Sequence, residues 1–145
     1  MDFVVRDLEK GDFRKGFPEI LSQLTTVGNV SLESFTARFE EINLSPDYKT
    51  VVIEDSEKQR IIATATLLIE RKFIRGCGKA GHIEDVVVDQ TYRGKCLGQR
   101  VIEALLEAAR EAGCYKVILD CAEANAAFYE KCGLTRKEIQ MVKYF

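Results

Sequence analysis

The chain has 145 residues, 46% hydrophobic and 30% charged, with ten glycines and two prolines. That bounds it to a single domain, residues 1–145, and excludes a disordered, collagen-like or low-complexity chain. Its 21 Lys and Arg against 23 Asp and Glu leave a net charge of −2, so no positive field draws in a nucleic-acid backbone.

Met1-Asp2-Phe3-Val4-Val5-Arg6 lacks a basic region followed by an apolar one, and the longest apolar run, Ile61–Ile69, is interrupted by Thr64 and Thr66. A soluble, unsecreted, cytoplasmic protein with no membrane partner is therefore expected, an organelle being left open. The five cysteines (Cys77, Cys96, Cys114, Cys121, Cys132) are odd in number and show no CxxC spacing. With His82 the single histidine, no metal site is expected.

In chain order, residues 3–6 read as an opening strand. Residues 10–25 carry Phe13, Phe17, Ile20, Leu21 and Leu24 at helical spacing, with Pro18 dividing them into two short helices. Ser31 caps a second helical region whose Leu32, Phe35, Phe39 and Ile42 share a face. Residues 49–54 and 60–75 are rich in strand formers and joined by a hairpin at 55–58. Residues 76–81 read as a glycine-rich turn, and 82–88 as a strand with a doubly buried end. Residues 94–112 give the clearest helix, Leu97, Val101, Leu105 and Ala108 repeating every three to four positions before Gly113. A strand over 115–121, a short helix over 125–132 and a last strand over 138–144 follow. The strand–helix–strand run from 82 to 121 requires a right-handed crossover and a parallel pair.

Two glycine-rich stretches compete for a ligand. Gly76-Cys77-Gly78-Lys79-Ala80-Gly81 matches GxGxxG, but a strand follows it where a dinucleotide site needs a helix, so it reads as a hairpin turn. Arg93-Gly94-Lys95-Cys96-Leu97-Gly98-Gln99 follows a buried strand and opens the strongest helix. Free backbone N–H groups, the helix dipole and two cations there suit a phosphate or pyrophosphate; the alternative is an ordinary strand–helix turn with a packing glycine.

Val86-Val87-Val88 followed by Arg-Gly-x-x-Leu-Gly on a helix resembles the acetyl-CoA signature Q/R-x-x-G-x-G/A of the GNAT superfamily, with Cys96 standing at its first glycine. Within it, the glucosamine 6-phosphate N-acetyltransferases are similar in ordered stretches over nearly the whole chain. These are Leu24–Gly28, Ala63–Thr66, Ile69–Ile74, His82–Val88, Gly113–Cys121, and Asn125 with Phe128–Gly133. The resemblance implies an α/β fold, with a mixed, mostly antiparallel sheet, one splayed parallel strand pair and flanking helices. It implies acetyl transfer from acetyl-CoA, without a metal, to the 2-amino group of glucosamine 6-phosphate, by direct attack in a ternary complex on the route to UDP-N-acetylglucosamine. No acyl-cysteine is needed, so the cysteines are expected as mostly buried packing residues.

By the same resemblance, Tyr129 stabilises or protonates the departing thiolate, and Glu84 and Asp120 are further catalytic candidates. Acetyl-CoA is held by Val86, Val87 and Val88, by Arg93, Gly94, Lys95, Cys96, Leu97, Gly98 and Gln99, and by Asn125 and Tyr129. The sugar phosphate is met by Thr25, Lys72, Arg75, Glu84, Asp85, Tyr115, Lys116, Asp120 and Lys143. Strict alternation puts the adjacent Glu84 and Asp85 on opposite faces of their strand. Relatives usually carry a phosphate-binding arginine at the position of Tyr144, so either Lys143 or Tyr144 replaces it or the phosphate is held more weakly. Relatives are also homodimers whose C-terminal strands complete the partner's site, and Met141–Phe145 is apolar enough for such an interface. The alternatives are a GNAT enzyme for another amine, such as a polyamine, an antibiotic or a protein lysine, and a non-catalytic acyl-CoA-binding module.

Overall fold

The computed structural model describes residues 3–145. Five strands, β1 (Val5–Asp7), β2 (Tyr48–Asp55), β3 (Arg60–Arg71), β4 (Lys79–Val88) and β5 (Cys114–Ile118), form one sheet in that order. The first four pair antiparallel, and β4 pairs β5 in parallel, as the crossover requires. Five helical segments accompany them: α1 (Phe17–Leu21), α2 (Leu32–Asn43), α3 (Ile74–Cys77), α4 (Leu97–Glu111) and α5 (Ala126–Lys131).

The strongest periodicity becomes the main packing element. Leu97, Val101, Ile102, Leu105 and Ala109 of α4 are buried against Val51, Ile53, Ile62, Ala63, Ala65, Leu67 and Ile83 on one face of the sheet. A Cβ on Gly81 would come within 3.0 Å of Leu67 and 3.4 Å of Ala109, so the bare backbone of β4 lets α4 cross closely. The other face is covered at one end by Ile20 of α1, packed on Val52, Ile61 and Val87. Pro18 sits in the first turn of α1, and a 3₁₀ segment, Lys10–Lys15, precedes it, so the two short helices expected there are present. Ser31 caps α2, accepting the Ser34 N–H at 3.0 Å. Phe35 is buried on the face predicted for α2, whereas Leu32 is exposed.

Several boundaries differ from the sequence reading. β3 stops at Arg71 rather than 75, and the turn occupies 72–78, so Gly81 lies inside β4 rather than in the turn. Arg75, Gly76 and Cys77 there all have positive φ (55°, 65° and 58°), which makes α3 a tight turn. β5 stops at Ile118, leaving Asp120 beyond it. No strand forms over 138–144. A strand needs a neighbour to pair with, and among the described residues this exposed segment has none. The cysteines are also not the buried residues expected: Cys77, Cys96 and Cys121 are exposed, and Cys114 and Cys132 are half-buried.

Candidate active site

The site is built where β4 leaves β5. Their pairing ends at His82–Ile118, and from Ile83 onward β4 bonds only to β3. The backbone groups of Ile83–Val88 that point away from β3 therefore face an open gap. A β-bulge sits at the gap: Thr66 pairs Glu84 and Thr64 pairs Val87, so Asp85 and Val86 together oppose one residue of β3. Asp85 adopts a left-handed conformation (φ 53°) to make it. This overturns the strict alternation. Ile83 packs toward α4 and Val87 toward α1, and both Glu84 and Asp85 are exposed.

Glu84, Asp85 and Asp120 form a group of carboxylates at the mouth of the gap. Partial burial, then the charges of Asp85 and Asp120, hold the Glu84 carboxyl above its ordinary range, against a small opposing pull from His82. Asp120 accepts a hydrogen bond from Gln140 Nε2 at 3.0 Å. Tyr129, half-buried on α5, packs edge-on to Phe128 with ring centroids 4.9 Å apart. Burial, with Cys121 and Cys132 nearby, raises its phenol above the ordinary value and keeps it protonated. Asn125 stands one turn earlier at the start of α5, exposed and free of any capping bond.

The other wall is the start of α4. Arg93, Gly94, Lys95 and Cys96 are exposed there, while Leu97 is buried. The first intrahelical bond runs from the Arg100 N–H to the Cys96 carbonyl at 3.2 Å, which leaves the N–H groups of Leu97, Gly98 and Gln99 without helical partners. Gly94 (φ 87°) and Cys96 (φ 60°) turn the chain through the left-handed region into the helix. This is the geometry of an anion-binding nest. Gly98, expected to admit a ligand, has another reason to be glycine: a Cβ there would lie 3.1 Å from Cζ of Phe128. It seats α5, and hence Tyr129, against α4. A cleft of about 530 Å³ opens beside this helix start, between Lys95 and Arg100 and the hairpin residues Asp55 and Lys58. It lies away from the carboxylates.

The cations expected for a sugar phosphate do not all converge. Arg75 stacks on the Tyr115 ring at 5.0 Å, and Lys116 approaches the same ring at 5.7 Å. Lys72 is paired with Glu70 at 3.1 Å, and Glu70 also meets His82 Nε2 at 2.8 Å. Those two contacts, the His82 bond first, hold the Glu70 carboxyl below its usual range. Thr25 lies exposed between α1 and α2, and Lys143 in the exposed tail. Among the described residues no hydrogen bond or ion pair joins Thr25, Lys72 or Lys143 to the Tyr115 group.

Some organising residues carried no mark in the sequence. Asp89, buried at the end of β4, accepts from the Thr91 N–H and hydroxyl at 2.9 and 2.7 Å. Tyr92 donates its hydroxyl to buried Asp55, which pushes the phenol up to about 12. These bonds fasten the first half of the connection 89–96, residues Asp89–Tyr92. Among the described residues no cluster of three or more His, Cys, Asp or Glu could hold a metal, and no helix is long and apolar enough to cross a membrane.

A mixed sheet whose parallel pair opens beside an anion-binding helix start is the signature of a GNAT acetyltransferase, and residues 6–134 match the Acetyltransferase (GNAT) family. Enzymes of this family use acetyl-CoA. The chain is 55% identical over 144 residues to the glucosamine 6-phosphate N-acetyltransferase of Arabidopsis thaliana, covering 99% of this chain and 97% of that one. It is 51% identical over 140 residues to glucosamine 6-phosphate N-acetyltransferase 1 of Dictyostelium discoideum, covering 96% and 88%. The crystal structure of the Arabidopsis thaliana enzyme superposes with a TM-score of 0.98 at 54% identity, covering 100% of this chain and 99% of that one. The chain belongs to the glucosamine 6-phosphate N-acetyltransferase family.

Proposed function

We propose that the protein transfers the acetyl group of acetyl-CoA to the 2-amino group of D-glucosamine 6-phosphate, giving N-acetyl-D-glucosamine 6-phosphate and CoA. The observation that carries this reading is the gap between β4 and β5, flanked by the free N–H groups opening α4, the Glu84–Asp85–Asp120 carboxylates and Tyr129. A pantetheine arm in the gap bonds the free backbone of Val86–Val88, and its phosphates meet Leu97, Gly98 and Gln99 with Arg93 and Lys95. The amine nitrogen attacks the thioester carbon in a ternary complex, the C–S bond breaks, and the thiolate takes the Tyr129 proton. Glu84 or Asp120 receives the ammonium proton, directly or through water. Thr25, Lys72, Arg75, Tyr115, Lys116 and Lys143 serve the sugar phosphate.

In the same reading residues 1–145 work as one cytoplasmic domain that supplies the route to UDP-N-acetylglucosamine. Two copies form a homodimer with shared sites. The tail supports that dimer: Ile139, Met141, Tyr144 and Phe145 are each more than 85% exposed on the single chain.

The experiment is free-thiol release from acetyl-CoA with glucosamine 6-phosphate and, in parallel, with glucosamine. Rapid release with the phosphate and little without it is expected. No release with either, in a protein that still binds CoA, would sink the substrate. A second expectation concerns pH. If ionised Glu84 is the base, activity rises as it loses its proton, so the acid limb of kcat/KM lies above the ordinary Glu value of 4.5. Asp85→Asn removes a like charge and is expected to move that limb to lower pH; an unmoved limb would assign it to another group.

A further inference from the structure

The segment Ser22–Val30 between α1 and α2 has no regular structure and is largely exposed. The Leu24 and Thr25 N–H groups both return to the Leu21 carbonyl, at 2.9 and 3.2 Å, and the backbone of Thr26–Val30 makes no hydrogen bond among the described residues. One side chain ties this segment to the connection 89–96. Gln23 Oε1 accepts the Gln90 N–H at 2.9 Å, and Gln23 Nε2 donates to Asp89 Oδ2 at 3.2 Å. Asp89 is itself fixed, being 6% exposed, with its N–H on the Ile62 carbonyl at 2.8 Å and its carboxylate on Thr91. Gln23 thus uses both ends of its amide to grip two successive residues of the connection that leads into the anion nest.

We propose that Gln23 is a positioning residue that couples the acetyl donor to the acceptor: occupancy of the α4 nest steadies residues 89–96, and the Gln23 bridge passes that order to Thr25–Val30. This rests on the reading above that Thr25 meets the sugar phosphate. The coupling is reciprocal, so the acceptor tightens the donor by the same factor. Part of it is entropic, because a segment already ordered by one ligand loses less freedom on binding the other.

Glucosamine 6-phosphate affinity is measured by calorimetry without and with saturating CoA, a pair that cannot react. In the unaltered protein CoA is expected to tighten the sugar phosphate about fivefold or more. Gln23→Ala is expected to bring that ratio below about twofold while CoA affinity alone stays within about twofold. Gln23→Glu keeps an acceptor for the Gln90 N–H but sets a negative charge against Asp89, and is expected to lose the coupling as well. An unchanged ratio in the variants, or both affinities falling together with the ratio preserved, would overturn the proposal. Hydrogen exchange of the amides of Leu24–Val30 gives a reading that needs no acceptor. CoA is expected to slow it in the unaltered protein and not in Gln23→Ala. No slowing in the unaltered protein overturns the bridge. Slowing present, with no sugar-phosphate binding in either state, sinks only the substrate.

Discussion

Replacing Tyr129 by phenylalanine is expected to lower kcat by about 10²–10³, with acetyl-CoA affinity within about twofold of the parent. Two features of the structure separate the two effects. Among the described residues the Tyr129 hydroxyl makes no hydrogen bond to the chain, so its removal leaves no orphaned partner and barely disturbs the fold. The ring itself is held by packing against Phe128 and the core under α4, and phenylalanine keeps those contacts. What disappears is one proton on a half-buried phenol whose surroundings hold it in the neutral form. A proton donor lost at the step in which the thiolate departs appears in kcat rather than in ground-state binding. Thiol release at saturating substrates, alongside calorimetry with CoA, checks both halves. An unchanged kcat would remove Tyr129 from the chemistry. A large loss of CoA affinity would make it a binding residue.

The sequence was most legible where one period was long and unbroken. α4 could be placed to within three residues because its apolar stripe runs for four turns and has only one sheet face to meet. The parallel β4–β5 pair followed from that helix, since the chain cannot return any other way. The nest at its start was legible for the same reason. The bulge at Asp85 was not, because nothing in a short Glu-Asp-Val run marks a left-handed aspartate. That one residue reverses which face Val87 takes and brings Glu84 and Asp85 both to the surface. Gly98 was read correctly as special but for a different neighbour, since its contact, Phe128, lies thirty positions along the chain. The strand expected over 138–144 shows the reverse failure. A sequence reading describes what a segment would do beside a neighbouring strand, and among the described residues none pairs with this one. Gln23, Asp89 and Tyr92 carried no signal at all, because they act through individual side-chain hydrogen bonds, which periodicity cannot register.

Asp12→Ala is expected to cost about 3 kcal/mol of stability, which for a chain of this size lowers the melting temperature by about 6–12 °C. Asp12 is wholly buried at the start of the chain's first helical region. Both its oxygens accept from Arg6, each at 2.9 Å, and one also takes the Glu9 N–H at 2.8 Å. Arg6 reaches on to Glu54 at 2.8 Å, and Lys15 joins Glu54 at 3.0 Å. This network pins the segment Lys10–Lys15 to β1 and β2. Removing Asp12 leaves the Arg6 charge mostly desolvated with half its partners, and it frees the Glu9 N–H that the Asp12 carboxylate had satisfied. Asp12→Asn retains an acceptor for Glu9 and is expected to lose about half as much. Glu54 supplies a check through pH. The Arg6 bond, then Lys15, hold its carboxyl below the ordinary value of 4.5 in the folded chain. Its share of the stability is therefore complete above that value and is lost as the pH falls through the lower, folded one. Breaking the network at Asp12 leaves Glu54 with Arg6 to itself, so acid sensitivity from Glu54 is expected to persist in a protein that melts earlier at neutral pH. Thermal melts from neutral pH down through the carboxylate range test both parts. A loss below about 1 kcal/mol at neutral pH would show that the buried pair contributes little beyond the apolar contacts around it.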